Sequence, residues 1–247
     1  MKNFIYKSFF YRILFLTGDT LVLDRWMWLK KRIKFLNNSL KFIDVGCGAG
    51  QFVIGLNKLD FLCDGVDIDT NKLNKAKKRA KLFGLKRDDI FINNINYIKK
   101  NYYDCLLTFE CIEHIINDQK FINDCSEVLK KDGYLFLTTP FKNLNPITSG
   151  DLEISSTEDG GHVRIGYDEK MLFSLLDKSF YDIKISYCSG FLSQKLTYLY
   201  RQLFNINKYI AILTILPLRP FQIVFDNFVT KILNYKKFSI CVEAKRK

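Results

Sequence analysis

Asp44 stands two residues ahead of the glycine run Gly46-Cys47-Gly48-Ala49-Gly50, and Asp67 closes the next apolar segment, Cys63-Asp64-Gly65-Val66-Asp67. A glycine-rich turn after a short apolar strand, with an acid about 20 residues further on, suits a nucleoside-bearing cofactor. Glycines let the backbone turn sharply and approach a ligand at distances a Cβ would block. The spacing is G-x-G-x-G rather than the G-x-G-x-x-G of most dinucleotide sites. Asp44 would repel a pyrophosphate but suit a cation. These residues point away from NAD and towards S-adenosyl-L-methionine, which carries a sulfonium and an ammonium and no phosphate. Asp67 is expected to accept the ribose hydroxyls.

A second group follows in Glu110-Cys111-Ile112-Glu113-His114. At the start of a helix, positions 110, 113 and 114 share one face. The other histidine of the chain, His162, lies in Gly160-Gly161-His162-Val163-Arg164. Two carboxylates and two imidazoles compose a site for a divalent metal, Mg²⁺ or Mn²⁺, open to substrate oxygens. Two other readings stay open. His114, with Glu113 beside it, acts as a metal-free general base on an acceptor hydroxyl, or Glu113 and His114 are a purely structural pair.

The elements that must position these groups alternate strand and helix. Helical character dominates residues 3–36. Strands are expected at about 40–45, 61–67, 90–93, 103–108, 133–138, 181–187 and 237–244. Helices are expected after the glycine loop, at 70–83 with Thr70 as cap and Gly84 as terminator, at 117–129 and at 168–178. Residues 141–166 form a polar, glycine-containing loop long enough for a functional lid. Residues 190–235 read as helices broken near Pro217 and Pro220, inserted before the last strand. Strands alternating with helices predict an α/β fold with a parallel-rich sheet and helices on both faces.

At this point the chain resembles a family. Asp44-Val-Gly-Cys-Gly-Ala-Gly50, Gly65-Val-Asp67, Tyr103-Asp-Cys-Leu-Leu-Thr108, Val128-Leu-Lys-Lys-Asp-Gly133 and Leu137-Thr-Thr-Pro140 are similar, in order, to the motifs of class I S-adenosylmethionine-dependent methyltransferases. The resemblance runs from about residue 40 to 190. It implies a Rossmann-like, seven-stranded, mostly parallel sheet with an antiparallel last strand, and a cofactor set of Asp44, Gly46, Cys47, Gly48, Gly50, Asp67, Ile68, Asn94, Ile95 and Phe109. Asn94 stands where the family usually has an acid for the adenine amine, Ile95 is expected on the adenine face, and Phe109 is expected on the methionine side. Glu110, Glu113, His114 and His162 resemble the E-x-x-E-H plus distant His of small-RNA 2′-O-methyltransferases and of ubiquinone-pathway catechol O-methyltransferases. In those enzymes a metal holds two vicinal oxygens and acidifies the one to be methylated. Thr108-Phe-Glu-Cys111 occupies the place of the N/D-P-P-F/Y tetrapeptide of enzymes that methylate base amines, which argues against that activity.

Composition narrows the acceptor. The 247 residues carry a net charge of +12, unevenly spread. Residues 1–40 are +6, residues 201–247 are +7, and the middle is −1. Both basic flanks are also apolar, as in Phe4–Leu16 and Tyr209–Leu218. Basic and apolar character on one element suits an interfacial helix at anionic lipid. The alternative is that these helices lid the pocket and cover each other. The flanks are too apolar for RNA phosphates and carry no accessory RNA-binding module. Seven cysteines without a C-x-x-C pair read as reduced thiols of a cytoplasmic protein with no zinc site, and Lys7 and Arg12 argue against a signal peptide. The expectation is a helical cap over 1–38 and a catalytic domain over 39–247, working in the cytoplasm or at the inner face of the membrane. Its acceptor is a small hydroxylated molecule, a sugar or a lipid-linked intermediate, with a quinone-type phenol or catechol as the first alternative. An RNA 2′-O-methyltransferase and a non-catalytic cofactor-binding subunit are further alternatives of other classes. Oligomeric state is left open.

Overall fold

The structure, a computed structural model, describes residues 13–87, 90–94 and 98–247. Seven strands form one sheet in the order β3-β2-β1-β4-β5-β7-β6. They are β1 Lys41–Val45, β2 Leu62–Val66, β3 Phe91–Ile92, β4 Tyr103–Phe109, β5 Leu129–Pro140, β6 Phe180–Cys188 and β7 Ser239–Arg246. The pairings β1·β2, β1·β4, β2·β3 and β4·β5 are parallel, while β7 runs antiparallel to both β5 and β6. This is the expected fold. β5 is longer than predicted, because Asp132 turns at φ 62° and pairing resumes beyond a register shift against β4.

Period-2 alternation gives the sheet two apolar faces. Phe42, Cys63, Cys105, Leu107, Phe136 and Cys241 join one buried cluster. Ile43, Leu106, Leu135, Leu137, Ile240 and Val242 join the other. Helices α1 (Thr20–Ile33), α2 (Gln51–Lys58) and α3 (Thr70–Leu82) cover the first face. Helices α4 (Asp118–Val128) and α5 (Glu169–Leu176) cover the second. In α1 the apolar positions Leu23, Trp26, Leu29 and Ile33 recur at helical spacing and are at most 5% exposed. Burying each contributes roughly 1.5–3 kcal/mol relative to leaving it in water.

One expectation is refined and two are corrected. The N-terminal stretch is helical over most of its described residues and ends at Ile33. It is interrupted at Thr17-Gly18-Asp19, where the Asp19 carboxylate accepts from Leu21 N at 2.9 Å and starts α1 afresh. The part of that flank before residue 13 lies outside the described residues. Asp69, not Thr70, caps α3, its carboxylate accepting from Asn71 N and Lys72 N. Glu110 does not open a helix. It sits at φ 48°, and only Ile112–His114 form a 3₁₀ turn before α4.

The insertion between β6 and β7 consists of α6 (Phe191–Ile206), α7 (Lys208–Ile215), a 3₁₀ turn at Leu216–Leu218 and α8 (Arg219–Ile232). Pro217 and Pro220 mark the break, as the sequence predicts. α6 packs against α1, α7 and α8.

Candidate active site

In this strand order the chain reverses its lateral direction between β1 and β4. The carboxyl ends of these two strands face a crevice of the kind in which open α/β sheets bind ligands. β1 delivers Asp44 and the glycine loop to it, and β4 delivers Phe109 and Glu110.

All three loop glycines have left-handed backbone, with φ of 80° at Gly46, 52° at Gly48 and 74° at Gly50. They differ in what a side chain would meet. A Cβ on Gly46 would lie 2.5 Å from Cys111 Sγ, and one on Gly50 would lie 2.9 Å from the Phe91 ring, whereas a Cβ on Gly48 would meet nothing within 4 Å. Gly46 and Gly50 are therefore packing glycines, and Gly48 faces open space. The loop is buttressed by Asp67, whose two oxygens accept from Gly48 N at 2.8 Å and Asp69 N at 2.9 Å. Arg79 of α3 donates to Ala49 O at 3.2 Å. An ionised carboxylate offers about four acceptor positions, so Asp67 keeps capacity for hydroxyl donors.

The loop geometry separates two substitutions. Gly50→Ala adds left-handed strain of about 1–2 kcal/mol and overpacking of about 1–3 kcal/mol. A fall in Tm of roughly 4–20 °C is expected by calorimetry. Gly48→Ala adds only the strain. It should leave Tm within a few degrees while placing a methyl group in the open crevice, so a binding titration should lose far more than a melting curve does.

Asp44 is 1% exposed, and its Oδ2 is buried without a hydrogen-bond partner. Burial, reinforced by Asp67, raises its pKa to about 8. An unsatisfied buried carboxyl beside an open crevice fits a cationic ligand. Cys47 is buried, and burial raises its thiol well above its ordinary range. Ile68 is 79% exposed, and Asn94 is half-buried after β3. Ile95 lies outside the described residues. The Phe109 ring is buried edge-on to Phe52 at 4.8 Å and near Trp28 at 6.0 Å, which makes it part of the core wall.

The acid–histidine group is brought together except for one member. Glu113, His114 and His162 present ligand atoms that all lie within 4.8 Å of one another. Glu113 is fully buried. Its Oε2 accepts from Thr139 Oγ1 at 3.0 Å, and its Oε1 is buried without a hydrogen-bond partner. Burial first, then Glu110, push its carboxyl well above the ordinary range. The His114 Nδ1 lies 2.8 Å from Gly161 O. A carbonyl only accepts, so Nδ1 carries the proton and Nε2 the free lone pair. The His162 ring packs against His114 with centroids 4.7 Å apart, its Nδ1 is buried without a hydrogen-bond partner, and burial, then His114, lower its pKa. Glu110 is the exception: it pairs with Arg25 Nη2 at 3.0 Å and accepts from Thr138 Oγ1 at 3.1 Å. The positive φ at Glu110 and the short 3₁₀ turn replace the expected shared helical face.

The loop carrying His162 is held down at several points. Arg164 donates to the carbonyls of Ile112, Ile115 and Ile116 and pairs with Asp118 at 3.3 Å. Val163 N donates to Glu113 O at 2.9 Å. Arg201 of α6 pairs with Asp151 in the same loop at 3.1 Å and with Asp19 at 3.4 Å. The sequence did not single out Arg25, Arg164 or Thr139. A lone arginine in the apolar run Arg25-Trp-Met-Trp28 was the one available signal for Arg25. Two surface cavities of about 150 and 510 Å³ lie elsewhere, lined by Ile147, Gln194 and Tyr198 and by Phe141, Tyr187 and Lys237. No glycine-loop residue lines either. The chemistry-bearing side chains, rather than these hollows, identify the site.

Comparison with known proteins agrees with this fold. A family model described as a methyltransferase domain matches residues 36–174. The ubiquinone biosynthesis O-methyltransferase of Actinobacillus pleuropneumoniae serotype 7 is 31% identical over 105 residues, 40% of this chain and 45% of that protein. The mitochondrial ubiquinone biosynthesis O-methyltransferase of Bos taurus is 33% identical over 113 residues, 41% of this chain and 29% of that protein. The alignments thus span less than half the length of these curated relatives. Among solved structures, phosphoethanolamine N-methyltransferase 2 of Haemonchus contortus, in complex with phosphomonomethylethanolamine and S-adenosylhomocysteine, superposes with a TM-score of 0.63 at 17% identity, covering 98% of this chain and 57% of that one. A sarcosine dimethylglycine methyltransferase from Galdieria sulphuraria gives 0.60 at 15% identity, covering 89% and 84%. At these identities the structural likeness is one of fold.

Proposed function

The chain belongs to the methyltransferase-domain family, and from that premise we propose that it methylates an oxygen atom of a small hydroxylated acceptor with S-adenosyl-L-methionine. The observation that carries the reading is the pairing, at one crevice, of an unsatisfied buried carboxyl beside a ligand-open glycine loop with a carboxylate and two imidazoles. The cofactor, when bound, supplies an electrophilic methyl group. Asp44 would face its cationic end, Gly48 would admit it, and Asp67 would accept from its ribose hydroxyls. His114 Nε2 is the lone pair available to take the acceptor proton, and the carbonyl of Gly161 holds the ring in that tautomer. Glu113 and His162 flank it. The loop carrying His162 excludes water from the reacting oxygen.

Glu113, His114 and His162 would also hold a divalent cation. Two imidazoles and one carboxylate suit Mn²⁺ better than Mg²⁺. Such an ion would lower the pKa of an acceptor hydroxyl. Glu110, engaged by Arg25, is left out of this proposed ligand set. A quinone-type phenol or catechol is the acceptor class favoured by the relatives named ubiquinone biosynthesis O-methyltransferases, ahead of a sugar or lipid-linked glycan. The test is methyl transfer from labelled cofactor to a panel of a catechol, a monophenol, a sugar alcohol and an RNA oligonucleotide, with EDTA and with added Mn²⁺. Transfer to the catechol oxygen supports the reading. Transfer only to nitrogen or to RNA, or to none of the four, overturns it.

A further inference from the structure

Helix α8 is built inside out. Its buried positions are Arg219, Gln222, Asp226 and Thr230, all polar and all on one face at helical spacing. Its apolar residues point outward, with Phe221 54% exposed, Val224 67%, Phe228 64% and Ile232 65%. α7 continues the outward surface with Tyr209 and Leu213, 64% and 71% exposed. A helix of a water-soluble domain shows the reverse pattern. Contiguous exposed apolar surface on this scale marks an interaction site.

Each residue of the polar inner face hydrogen-bonds to a neighbouring element. The Asp226 carboxylate accepts from Gly190 N at 2.8 Å and Ser193 N at 3.1 Å, capping α6. Gln222 Nε2 donates to Asp24 of α1 at 3.0 Å and to Ser193 Oγ at 2.9 Å. Arg219 donates to Gly18 O, and Thr230 Oγ1 accepts from Phe191 N at 2.8 Å. α8 is thereby fixed flat along α6 and α1, and rotating its apolar face inward would break every one of these bonds.

We propose that the outer face of α7 and α8 seats the protein on an anionic bilayer, lying in the interface plane rather than crossing it. Charge selects the occupant. Asp226 is the one acid between residues 191 and 237, and it is buried, so the segment presents no carboxylate to its surroundings. Lys195, Lys208, Lys231 and Lys236 are exposed in it. Apolar side chains rimmed by lysines without acids suit acyl chains beneath anionic headgroups. A second copy of this same face would bring lysines against lysines. Lys208–Ile232 is long and apolar enough to cross a membrane by length and composition alone. Its polar stripe bound along α6 and α1 excludes that orientation, since the catalytic domain would follow it into hydrocarbon.

The proposal does not rest on the methyltransferase reading, and its test contains neither cofactor nor acceptor. The full chain is sedimented with vesicles of phosphatidylcholine alone and with about one-third phosphatidylglycerol. Phe228→Trp serves as a depth reporter with brominated lipid. Binding to the anionic vesicles, weakened at least tenfold by high salt or by Val224→Asp with Phe228→Asp, and quenching of the reporter tryptophan, are expected. Phe173→Asp, on the exposed side of α5, should leave binding unchanged. No sedimentation with either vesicle, or a self-associated chain that Val224→Asp with Phe228→Asp makes monomeric without any lipid binding, would overturn it.

Discussion

His114→Ala is expected to lower kcat by a factor of about 10²–10⁴, the range that a positioned general base contributes, while leaving cofactor affinity within about twofold. The separation follows from position. His114 lies beyond the end of β4, and its Nδ1–H is committed to Gly161 O, so nothing in the glycine loop depends on it. Its loss removes the imidazole lone pair that would take the acceptor proton, while the segment carrying His162 stays held by Arg164 and by Val163 N. Thr139→Val and Glu113→Gln would not separate the two roles, because both disturb the same buried bond. Turnover measured with saturating cofactor, in parallel with calorimetric binding, reads both quantities. Retention of more than a third of wild-type kcat would make the histidine pair structural. If wild-type activity falls with EDTA and returns with Mn²⁺, the cluster acts through an ion. If EDTA has no effect, His114 acts as the base itself.

Asp44→Asn is expected to move stability and binding in opposite directions. The Asp44 carboxyl has its pKa raised by burial and by Asp67, from 3.8 to about 8. Between those values the folded state holds a proton that the unfolded state has released, so stability falls as pH rises through that window. Between about pH 6.5 and pH 8.5 the wild type should lose roughly 2 kcal/mol from this group, about 4–8 °C in Tm. The amide of the variant cannot ionise, so its fall in melting temperature over the same range should be smaller by that amount, the remainder coming from Asp24 and Glu113, whose carboxyls burial also raises. Binding behaves the other way. A cationic ligand favours the ionised carboxylate, so wild-type affinity should rise by up to about tenfold per pH unit below 8, with proton release on binding. Asp44→Asn should lose that dependence together with at least tenfold in affinity. Thermal melts and titrations at two pH values decide both parts.

The sequence carried the fold because strand alternation and loop glycines are local signals. Phe42 and Ile43, or Leu135 and Phe136, face opposite sides of the sheet as a period of two requires. The glycine loop was legible for the same reason, since Asp44, the three glycines and Asp67 lie within 24 residues. His162 was readable only as the second of two histidines, and the structure brings it to His114 across 48 residues. What was not legible depended on long-range partners. Nothing near Glu110 in the chain announces that Arg25 claims it. The helical reading of 110–114 failed because residue 110 adopts a left-handed conformation that glutamate seldom visits. The inside-out α8 was also hidden. Its polar positions, 219, 222, 226 and 230, have ordinary helical spacing, and only the contacts to α6 and α1 reveal which face is buried.

The most direct test of the central claim, that the β1 loop is an S-adenosylmethionine site, is a calorimetric titration of the cofactor into wild type and Asp67→Ala. Micromolar binding by the wild type, weakened at least 100-fold in Asp67→Ala while the variant keeps its far-ultraviolet circular dichroism, is the predicted result. Absence of binding by the folded wild type, or equal affinity in the variant, would contradict the account.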